Sequence, residues 1–353
     1  MSEVPEHELE SRRETVLDDS LKGASILTRM PSVSAAQWSA RSLLVRWLIA
    51  VRATVLVLTL SSAAFGGLLA LHAALSTAAR FDAIAWGACC LGLVLAHATN
   101  NLLNDLTDTW RGVDDDNYFR TRYGTHVLIH GLLSVRGLWG YIAATGSAAL
   151  AIGLALLWHT GPEILLPLIA GAFFLLFYTW PLKRWGLGEV AVLLVWGPLM
   201  VCGSLLVAGG SVDTGTIAAG FLFGVGPTLV IFGKHIDKLE FDAAKGVATL
   251  PVRLGEARAR RWVVAMTVAQ YPLALLLVFT GALPWPVLLM LASVPSAWRL
   301  IRMHRAPRPT ACPADWPEDT WPLWFVAGAF VHARETALLM LAGMLAAVLL
   351  AAI

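Results

Sequence analysis

The sequence predicts an all-α, polytopic membrane protein with about nine transmembrane helices around a central cavity. The first observation is composition: 57% of the 353 residues are hydrophobic and only 14% are charged, whereas a soluble domain carries about 25% charged residues. The second is that long apolar stretches run almost free of Lys and Arg. Such stretches meet the requirement of roughly 20 apolar residues for crossing a hydrocarbon core. A water-soluble globular fold and a disordered chain are therefore excluded.

Nine apolar runs, separated by polar or Gly/Pro breaks, are candidate membrane spans. In chain order they are 47–72, 83–104, 134–158, 162–180, 187–209, 214–234, 261–281, 283–299 and 336–353. A further apolar stretch, 320–333, is followed by Arg334 and Glu335, so we expect it to form an interfacial or partly inserted lead into the last span. Residues 1–45 are polar and lack a signal-peptide pattern, which predicts a mobile cytoplasmic tail before a transmembrane domain at 46–353.

The basic residues predict the orientation of these spans. Lys and Arg are concentrated in the N-terminal tail and in the loops after spans two, four, six and eight, whereas the opposite loops contain only Arg80. By the positive-inside rule, the N-terminus and the polar loops are cytoplasmic and the C-terminus lies outside. The net charge of +2 leaves no excess of basic residues to bind the phosphate backbone of a nucleic acid, so nucleic acid is not an expected partner.

A polar stripe marks the point where the second span leaves the membrane. Asn101, Asn104, Asp105 and Asp108 fall within an arc of about 100° on a helix. Stacked carboxylates repel one another unless a cation lies between them, and Mg²⁺ uses one or two carboxylates together with substrate phosphate oxygens. The stripe therefore predicts a Mg²⁺ site, and the alternative is a solvated helix end that stops at Gly112.

A second polar cluster, 234–250, follows the sixth span. On a helix, His235, Lys238 and Asp242 share one face, and Asp237 lies on a neighbouring face. By itself this mixture of acids and bases predicts a salt-bridged loop helix about as well as a binding site. The two clusters lie at the same ends of spans two and six and divide the chain into similar halves, which favours a site.

The first cluster resembles the aspartate-rich motif of the UbiA superfamily of intramembrane prenyltransferases. The pattern N-D-x-x-D-x-x-x-G-x-D is closest to the branch that contains the menaquinone-pathway dihydroxynaphthoate prenyltransferase, and the resemblance covers about 45–350. The matching positions are Asn104, Asp105, Asp108, Gly112 and Asp114, preceded by Asn101. Further matches are Arg52 near the start of the first span, Arg122 after the motif, and the segment from Tyr178 to Lys183.

The resemblance implies roles for these positions. Those implied to be catalytic are Asn104, Asp108, Tyr178, Lys183 and Asp242. Those implied to bind substrate are Arg52, Asn101 and Arg122, and we expect Lys234 and Lys238 to bind it as well. The implied metal ligands are Asn104, Asp105, Asp108, Asp114, Asp237 and Asp242. Among the basic residues, Arg122 and Lys183 are the candidates for a clamp on a diphosphate group.

The second cluster departs from the family pattern N-x-x-x-D-x-x-x-D-x-x-x-G-K-x-T-L. Alignment on Asp242 places Lys238 at the first expected Asp and Lys234 at the expected Asn, with Asp237 one residue out of register. One hypothesis is that Lys238 or Lys234 donates directly to the diphosphate and replaces part of a second cation, while Asp242 binds metal or holds that lysine. The competing hypothesis is a π-bulge that brings Asp237 into the site.

The resemblance implies a Mg²⁺-dependent enzyme that moves an isoprenyl chain from an allylic polyprenyl diphosphate to an aromatic, quinone-precursor-like acceptor and releases diphosphate. The implied partners are the polyprenyl diphosphate, a small hydrophobic or aromatic acceptor and the lipid bilayer. Two alternatives stay open. The first keeps the donor but uses a non-aromatic lipid, a porphyrin or a sugar phosphate as acceptor. The second is a membrane transporter, which predicts ionisable residues near the middle of the membrane.

Overall fold

Regular structure is helical throughout the part of the chain that the structure describes. A computed structural model describes residues 31–77, 80–113, 124–314, 316 and 320–353. Eight helices in these ranges are long and apolar enough to cross a membrane, so the predicted all-α polytopic architecture is confirmed. The helices are α1 (Ala35–Ser39), α2 (Leu43–Ala50), α3 (Ala53–Thr77), α4 (Ala83–Trp110), α5 (Val135–Thr160), α6 (Pro162–Leu182), α7 (Gly188–Val207), α8 (Thr214–Asp237), α9 (Leu239–Ala244), α10 (Leu250–Leu254), α11 (Glu256–Phe279), α12 (Val294–Arg305) and α13 (Phe325–Ala351).

Three of the long helices begin at side-chain caps. Asp82 accepts a hydrogen bond from the Ala85 N–H at 2.9 Å before α4, Ser134 caps α5, and Asp213 accepts from the Thr216 N–H at 2.7 Å before α8. Each cap satisfies a backbone N–H that has no partner within its helix. The backbone donors stabilise the ionised carboxylates and lower the pKa of Asp82 and of Asp213 below the usual value.

The predicted span 283–299 is divided between two kinds of helix. A 3₁₀-helix covers Trp285–Ser293 and continues directly into α12, and Pro286 and Pro295 lie in the first turns of the two segments. Proline fits the first turn because its missing N–H would have no helical partner there. Together the segments cover 285–305 and pack against α13. The prediction of about nine spans thus corresponds to eight long helices and this composite segment.

The last predicted span is longer than expected. α13 runs without a break from Phe325 to Ala351 and includes Arg334 and Glu335. The break expected at Arg334 and Glu335 is therefore absent, and 325–333 forms the first turns of α13. Arg334 is exposed and lies in the first half of the helix, where a long side chain can extend along the helix surface towards the membrane interface.

Residues 31–45 belong to the packed structure. Val33 and Trp38 are buried in one hydrophobic cluster with Leu102 of α4. The expectation of a mobile tail therefore does not hold for the segment that carries Val33 and Trp38, because these two side chains have a place in the core. The remainder of the predicted tail, 1–30, lies outside the described residues.

Large apolar side chains cover much of the outside of the bundle. Ile84, Trp158 and Phe279 are 87%, 93% and 90% exposed, and they lie at the helix ends opposite the polar clusters. A water-soluble protein seldom exposes so much apolar surface, whereas in a bilayer these side chains contact lipid and the interface. The surface of the bundle therefore fits a membrane.

Small residues allow the helices to approach closely in the centre of the bundle. A Cβ on Gly66 of α3 would lie 2.2 Å from the Val201 carbonyl oxygen of α7, and one on Gly343 of α13 would lie 2.4 Å from the Pro286 carbonyl oxygen. Association of helices in lipid depends on such packing because the bilayer supplies no hydrophobic driving force between them. An added methyl group at these contacts must displace a neighbouring backbone.

Replacing Gly66 by alanine should destabilise the bundle by about 1–3 kcal/mol, the usual cost of overpacking. Gly87→Ala on α4 is the matched control, because a Cβ there meets nothing within 4 Å and alanine has the higher helix propensity. The measurement is the apparent melting temperature of each purified variant in one detergent at one scan rate. Equal melting temperatures for the two variants would contradict the packing argument.

Candidate functional site

The polar stripe of α4 faces two different neighbours. Asn101 and Asp105 contact the junction between α2 and α3, whereas Asn104 and Asp108 contact the end of α6. Residues four apart share one face of a helix, so the regular geometry of α4 separates the stripe into these two pairs. Asn101, Asn104 and Asp105 are buried. The stripe is therefore an internal junction of three elements and not a solvated helix end.

Arg52 connects the junction of α2 and α3 to the first of these faces. Its guanidinium pairs with Asp105, and its backbone has a φ of 57°, in the left-handed region that a non-glycine residue seldom adopts. Asn101 Nδ2 donates to the carbonyl oxygen of the preceding residue, Val51, at 2.9 Å. Asn101 thus holds the turn that carries Arg52, which makes it a positioning residue.

The second face of α4 meets the end of α6. Lys183 Nζ donates to Asp108 Oδ2 at 2.8 Å, and Thr179 Oγ1 lies 3.5 Å from Asn104 Oδ1. The side chains of Lys183 and Asp108 are only 7% and 13% exposed, so water screens their attraction less than it would at the surface. The two residues, predicted from separate motifs, therefore form one ion pair.

A π-helical turn shapes this end of α6. Tyr178–Leu182 form the turn around Pro181, which has no N–H to continue a regular helix. The ring of Tyr178 is half-buried. The turn places this ring one residue before Thr179, whose hydroxyl lies near Asn104 of the first polar cluster.

Trp180 and Arg111 make a contact that the sequence analysis did not single out. The guanidinium carbon of Arg111 lies 3.6 Å from the centre of the Trp180 ring, and that of Arg184 lies 5.1 Å from it. Such cation–π contacts contribute about 0.5–2 kcal/mol. This one ties the end of α4 to α6 beside the Lys183–Asp108 ion pair. A contact between residues so far apart in the chain leaves no signal in sequence spacing.

The second cluster lies beside the first. Lys238 separates the end of α8 from the start of α9, and its Nζ lies 3.2 Å from Asp242 Oδ1, with both side chains buried. Lys245 Nζ donates to the Gly112 carbonyl oxygen at 3.0 Å, which joins the end of α9 to the end of α4. The two polar clusters therefore meet at one end of the bundle.

The register of the second cluster is settled without a π-bulge. The chain from 234 to 242 contains the last turn of α8 and the first turn of α9, and none of it is π-helical. Asp237 accepts hydrogen bonds from the N–H groups of Phe325 and Val326 at 3.1 and 3.0 Å and pairs with Arg308 at 3.6 Å. The π-bulge hypothesis is therefore wrong. Asp237, expected among the metal ligands, instead caps the start of α13.

Of the other expected site residues, one lies within the described structure and two lie outside it. Lys234 is half-buried on the last turn of α8, one turn before Lys238. Asp114 and Arg122 fall within 114–123 and lie outside the described residues.

Glu189 and His235 form a buried pair that sequence reasoning missed. His235 Nδ1 lies 2.5 Å from Glu189 Oε1, and each side chain is 1% exposed. Glu189 Oε2 also accepts from the Leu250 N–H at 3.4 Å. The pair ties α7, α8 and α10 together beneath the second cluster. Only the tertiary fold brings the two residues together, so spacing in the sequence could not reveal the pair.

The oxygen atoms of the site suit a hard cation. Asp242 is fully buried, and its Oδ2 has no hydrogen-bond partner; the same is true of the buried Thr249 Oγ1. Such oxygens are costly to bury unless a donor or a cation occupies them. Within the described ranges, no three acidic, His or Cys side chains are grouped closely enough to hold a metal by themselves. Mg²⁺ does not need such a group, because substrate phosphates and water complete its coordination.

Fold and site together define a membrane-embedded helical protein that gathers buried acidic and basic side chains at one end of its bundle. This combination is suited to binding a polyanion with a hard divalent cation. The model of the UbiA prenyltransferase family matches residues 60–317. The chain belongs to this family.

Individual relatives agree with the family match. The 2-carboxy-1,4-naphthoquinone phytyltransferase of Synechocystis sp. is 28% identical over 207 residues. The matched region covers 57% of this chain and 65% of that protein, which is slightly less than two thirds of its length. The 1,4-dihydroxy-2-naphthoate octaprenyltransferase of Mycobacterium tuberculosis is 30% identical over 223 residues, covering 61% of this chain and 74% of that protein. A UbiA homolog from Archaeoglobus fulgidus, solved with GPP and Mg²⁺, shares the fold with a TM-score of 0.55 at 16% identity, over 82% of this chain and 98% of that one.

Proposed function

We propose that this protein transfers an isoprenyl chain from an allylic polyprenyl diphosphate to an aromatic acceptor in a Mg²⁺-dependent reaction that releases diphosphate. The observation that carries the proposal is the meeting of three buried acid–base contacts at one end of the bundle. They are Arg52–Asp105, Lys183–Asp108 and Lys238–Asp242. The three cations come from separate parts of the chain, as is needed to surround a polyanion.

The basic residues can exchange partners when the diphosphate binds. Arg52, Lys183 and Lys238 already lie in the site, held by aspartates, so no cation has to be ordered from solvent. Phosphate oxygens accept strong charge-assisted hydrogen bonds, and the guanidinium of Arg52 can donate to two of them at once. Mg²⁺ held by Asp105 and Asp108 would offset the charge that develops on the departing diphosphate.

The reaction needs a dry environment next to the diphosphate. When the allylic C–O bond breaks, the bonding electrons leave with the diphosphate and an allylic cation remains. Water would consume that cation, and the apolar helices exclude water. We expect the ring of Tyr178 to stabilise the cation through its π electrons. A carbon of the acceptor ring then forms the new C–C bond, and the hydrogen on that carbon leaves as a proton that the released diphosphate can accept.

An aromatic acceptor is favoured by the relatives, which are named for transfer to a naphthoquinone and to a dihydroxynaphthoate. A non-aromatic lipid, a porphyrin or a sugar phosphate would use the same donor site, so only activity separates these acceptors. A transporter is disfavoured, because the buried acid–base contacts gather at one end of the bundle and a transported solute binds near the middle of the membrane.

The deciding experiment uses the full chain in liposomes with labelled geranylgeranyl diphosphate and longer donors. Dihydroxynaphthoate is offered beside a non-aromatic lipid, a porphyrin and a sugar phosphate, each with and without Mg²⁺. We expect a prenylated aromatic product that requires the metal. Product with only one of the other acceptors would overturn the aromatic part of the proposal. Solute flux with no consumption of diphosphate would overturn all of it.

Asn101→Leu should reduce prenyl transfer about tenfold, because a buried carbonyl that loses its partner costs about 1–3 kcal/mol and the turn that carries Arg52 relaxes. Asn100→Leu is the matched control: Asn100 Nδ2 donates to the Leu175 carbonyl at 2.9 Å, so this variant loses the same kind of bond without touching that turn. Initial rates and melting temperatures are compared. Equal rates for the two variants would remove the positioning role from Asn101.

We infer that the acid–base end of the bundle faces the cytoplasm and that the C-terminus lies outside, as the distribution of Lys and Arg predicts. In a chain whose four cysteines are replaced, Arg136→Cys should react with an impermeant maleimide only in inside-out vesicles. Arg80→Cys should react only in intact cells. The opposite labelling pattern would invert the orientation.

A further inference from the structure

A basic groove separates the start of α11 from the end of α12. Its volume is about 610 Å³, and its polar lining consists of Arg260, Arg261, His304 and Arg305. None of the residues of the acid–base site lines it. The groove is therefore a second place where an anion can bind, independent of the proposed reaction.

Exposed arginines are concentrated on the two helices that form the groove, and two of them, Arg261 and Arg305, line it. Arg258 and Arg261 lie on the first turns of α11, and Arg299, Arg302 and Arg305 lie on α12. Within the described ranges, none of these five guanidinium groups makes a hydrogen bond or an ion pair. A cluster of like charges on two packed helices is unfavourable unless an anion binds between them.

Arg260 has a different function from its neighbours. It pairs with Glu256 at 3.1 Å, donates to the His304 carbonyl oxygen at 2.9 Å and to that of Ala306, and lies over the ring of Phe325 at 5.0 Å. These contacts satisfy carbonyl groups at the end of α12. Arg260 thus forms the floor of the groove, and the exposed arginines beside it are available to bind a ligand.

His304 adds a buried polar atom to the lining. The side chain is 4% exposed, and its Nδ1 lies 3.0 Å from the Leu300 carbonyl oxygen. Because a carbonyl can only accept, Nδ1 carries the hydrogen and donates. Nε2 has no partner and is shielded from solvent, so His304 forms part of the wall of the groove and its Nε2 is not within reach of a ligand at the arginines.

The surroundings of the groove correspond to the headgroup region of a bilayer. Trp262 follows Arg261 on α11, Trp298 precedes Arg299 on α12, and the two indole rings are 56% and 57% exposed. Exposed Trp concentrates where hydrocarbon meets headgroups. The arginines beside them are therefore expected at the depth of lipid phosphates.

An apolar track leads from the groove along α11. Val268 and Leu275 are 51% and 49% exposed and follow Arg261 at successive intervals of seven residues, so the three side chains share one face of the helix. An acyl chain can lie along this face while its headgroup stays at the arginines. A free phosphate would use only the basic end.

We propose that the groove binds the phosphate of an anionic phospholipid whose acyl chains lie along α11. Arg261 and Arg305 donate to the phosphate oxygens from opposite sides. Each basic side chain near an anionic headgroup contributes about 1 kcal/mol. At tenfold per 1.4 kcal/mol, this is about fivefold in affinity for each arginine and about 30-fold for both.

The test is native mass spectrometry of the full-length protein in detergent, titrated with phosphatidylglycerol or with phosphatidylcholine of the same acyl chains. Arg261→Gln, Arg305→Gln and the double variant are compared with Arg136→Gln, which removes an exposed arginine from the start of α5. We expect phosphatidylglycerol adducts that weaken about fivefold in each single variant and about 30-fold in the double variant, with no change in Arg136→Gln.

Three results would overturn the proposal. They are equal binding of phosphatidylcholine, an equal loss in Arg136→Gln, and displacement of phosphatidylglycerol by inorganic phosphate at the same concentration, which would assign the groove to a soluble anion. Misfolding does not confuse these outcomes, because the substituted arginines make no hydrogen bond or ion pair within the described structure and lipid-free melting temperatures are recorded for every variant.

Discussion

Replacing Asp108 by asparagine should lower prenyl transfer by on the order of 10²- to 10³-fold, the loss seen when one group that stabilises transition-state charge is removed. The substitution keeps the size of the side chain but removes the charge that pairs with Lys183 at 2.8 Å. Lys183 then loses this ion pair, and one expected oxygen ligand of Mg²⁺ is neutral. The rate is measured in liposomes over a range of Mg²⁺ concentrations, and half-saturation should require more metal.

Asp82→Asn is the control for this experiment. It makes the same chemical change at the opposite end of α4, where asparagine can still cap the helix, and it should leave the rate within about twofold. If Asp108→Asn kept its rate and its Mg²⁺ requirement, Asp108 would be a structural partner of Lys183 and not part of the reaction.

Lys238→Met should weaken binding of the polyprenyl diphosphate about 30-fold, since a hydrogen bond to a charged group contributes roughly 1.5–3 kcal/mol. The same change should lower stability by about 3–5 kcal/mol, because it leaves the buried carboxylate of Asp242 without its partner. Donor KM and the apparent melting temperature report the two effects separately. Lys245→Met removes a lysine that is exposed and bonds only a backbone carbonyl, so its effect on donor KM should be small.

A double variant separates charge compensation from binding. Lys238→Met combined with Asp242→Asn contains no uncompensated buried charge, so its stability should recover. Its donor KM should stay high, because no ammonium is present to donate to the diphosphate. Recovery of both quantities would show that Lys238 serves only to neutralise Asp242.

The first polar cluster could be predicted from sequence because its information is local. The helical period alone places Asn101, Asn104, Asp105 and Asp108 on one stripe, and the motif around them identifies the family. The sequence could not show that the stripe separates into two pairs with different partners. The packing of α2, α3 and α6 against α4 decides that Asn101 and Asp105 meet the turn at Arg52, whereas Asn104 and Asp108 meet the end of α6.

The second cluster shows where local reasoning fails. Alignment could place Lys238 and Asp242 in register, and the structure joins them at 3.2 Å. The role of Asp237 depends on the backbone N–H groups of Phe325 and Val326, which lie far along the chain and carry no side-chain signature. The spacing of residues within a motif therefore could not predict that Asp237 caps a distant helix.

The position of α13 has a consequence for how the protein is made. This helix packs against α3, α8 and the 3₁₀-helix, Met340 and Met344 share a buried cluster with Phe65 and Val201, and Asp237 caps its first turn. α13 follows the other described helices in chain order, so the earlier spans enter the membrane while its place among them is still unfilled. The bundle can close only after α13 has been inserted, and we expect nascent chains that still lack this helix to be inactive.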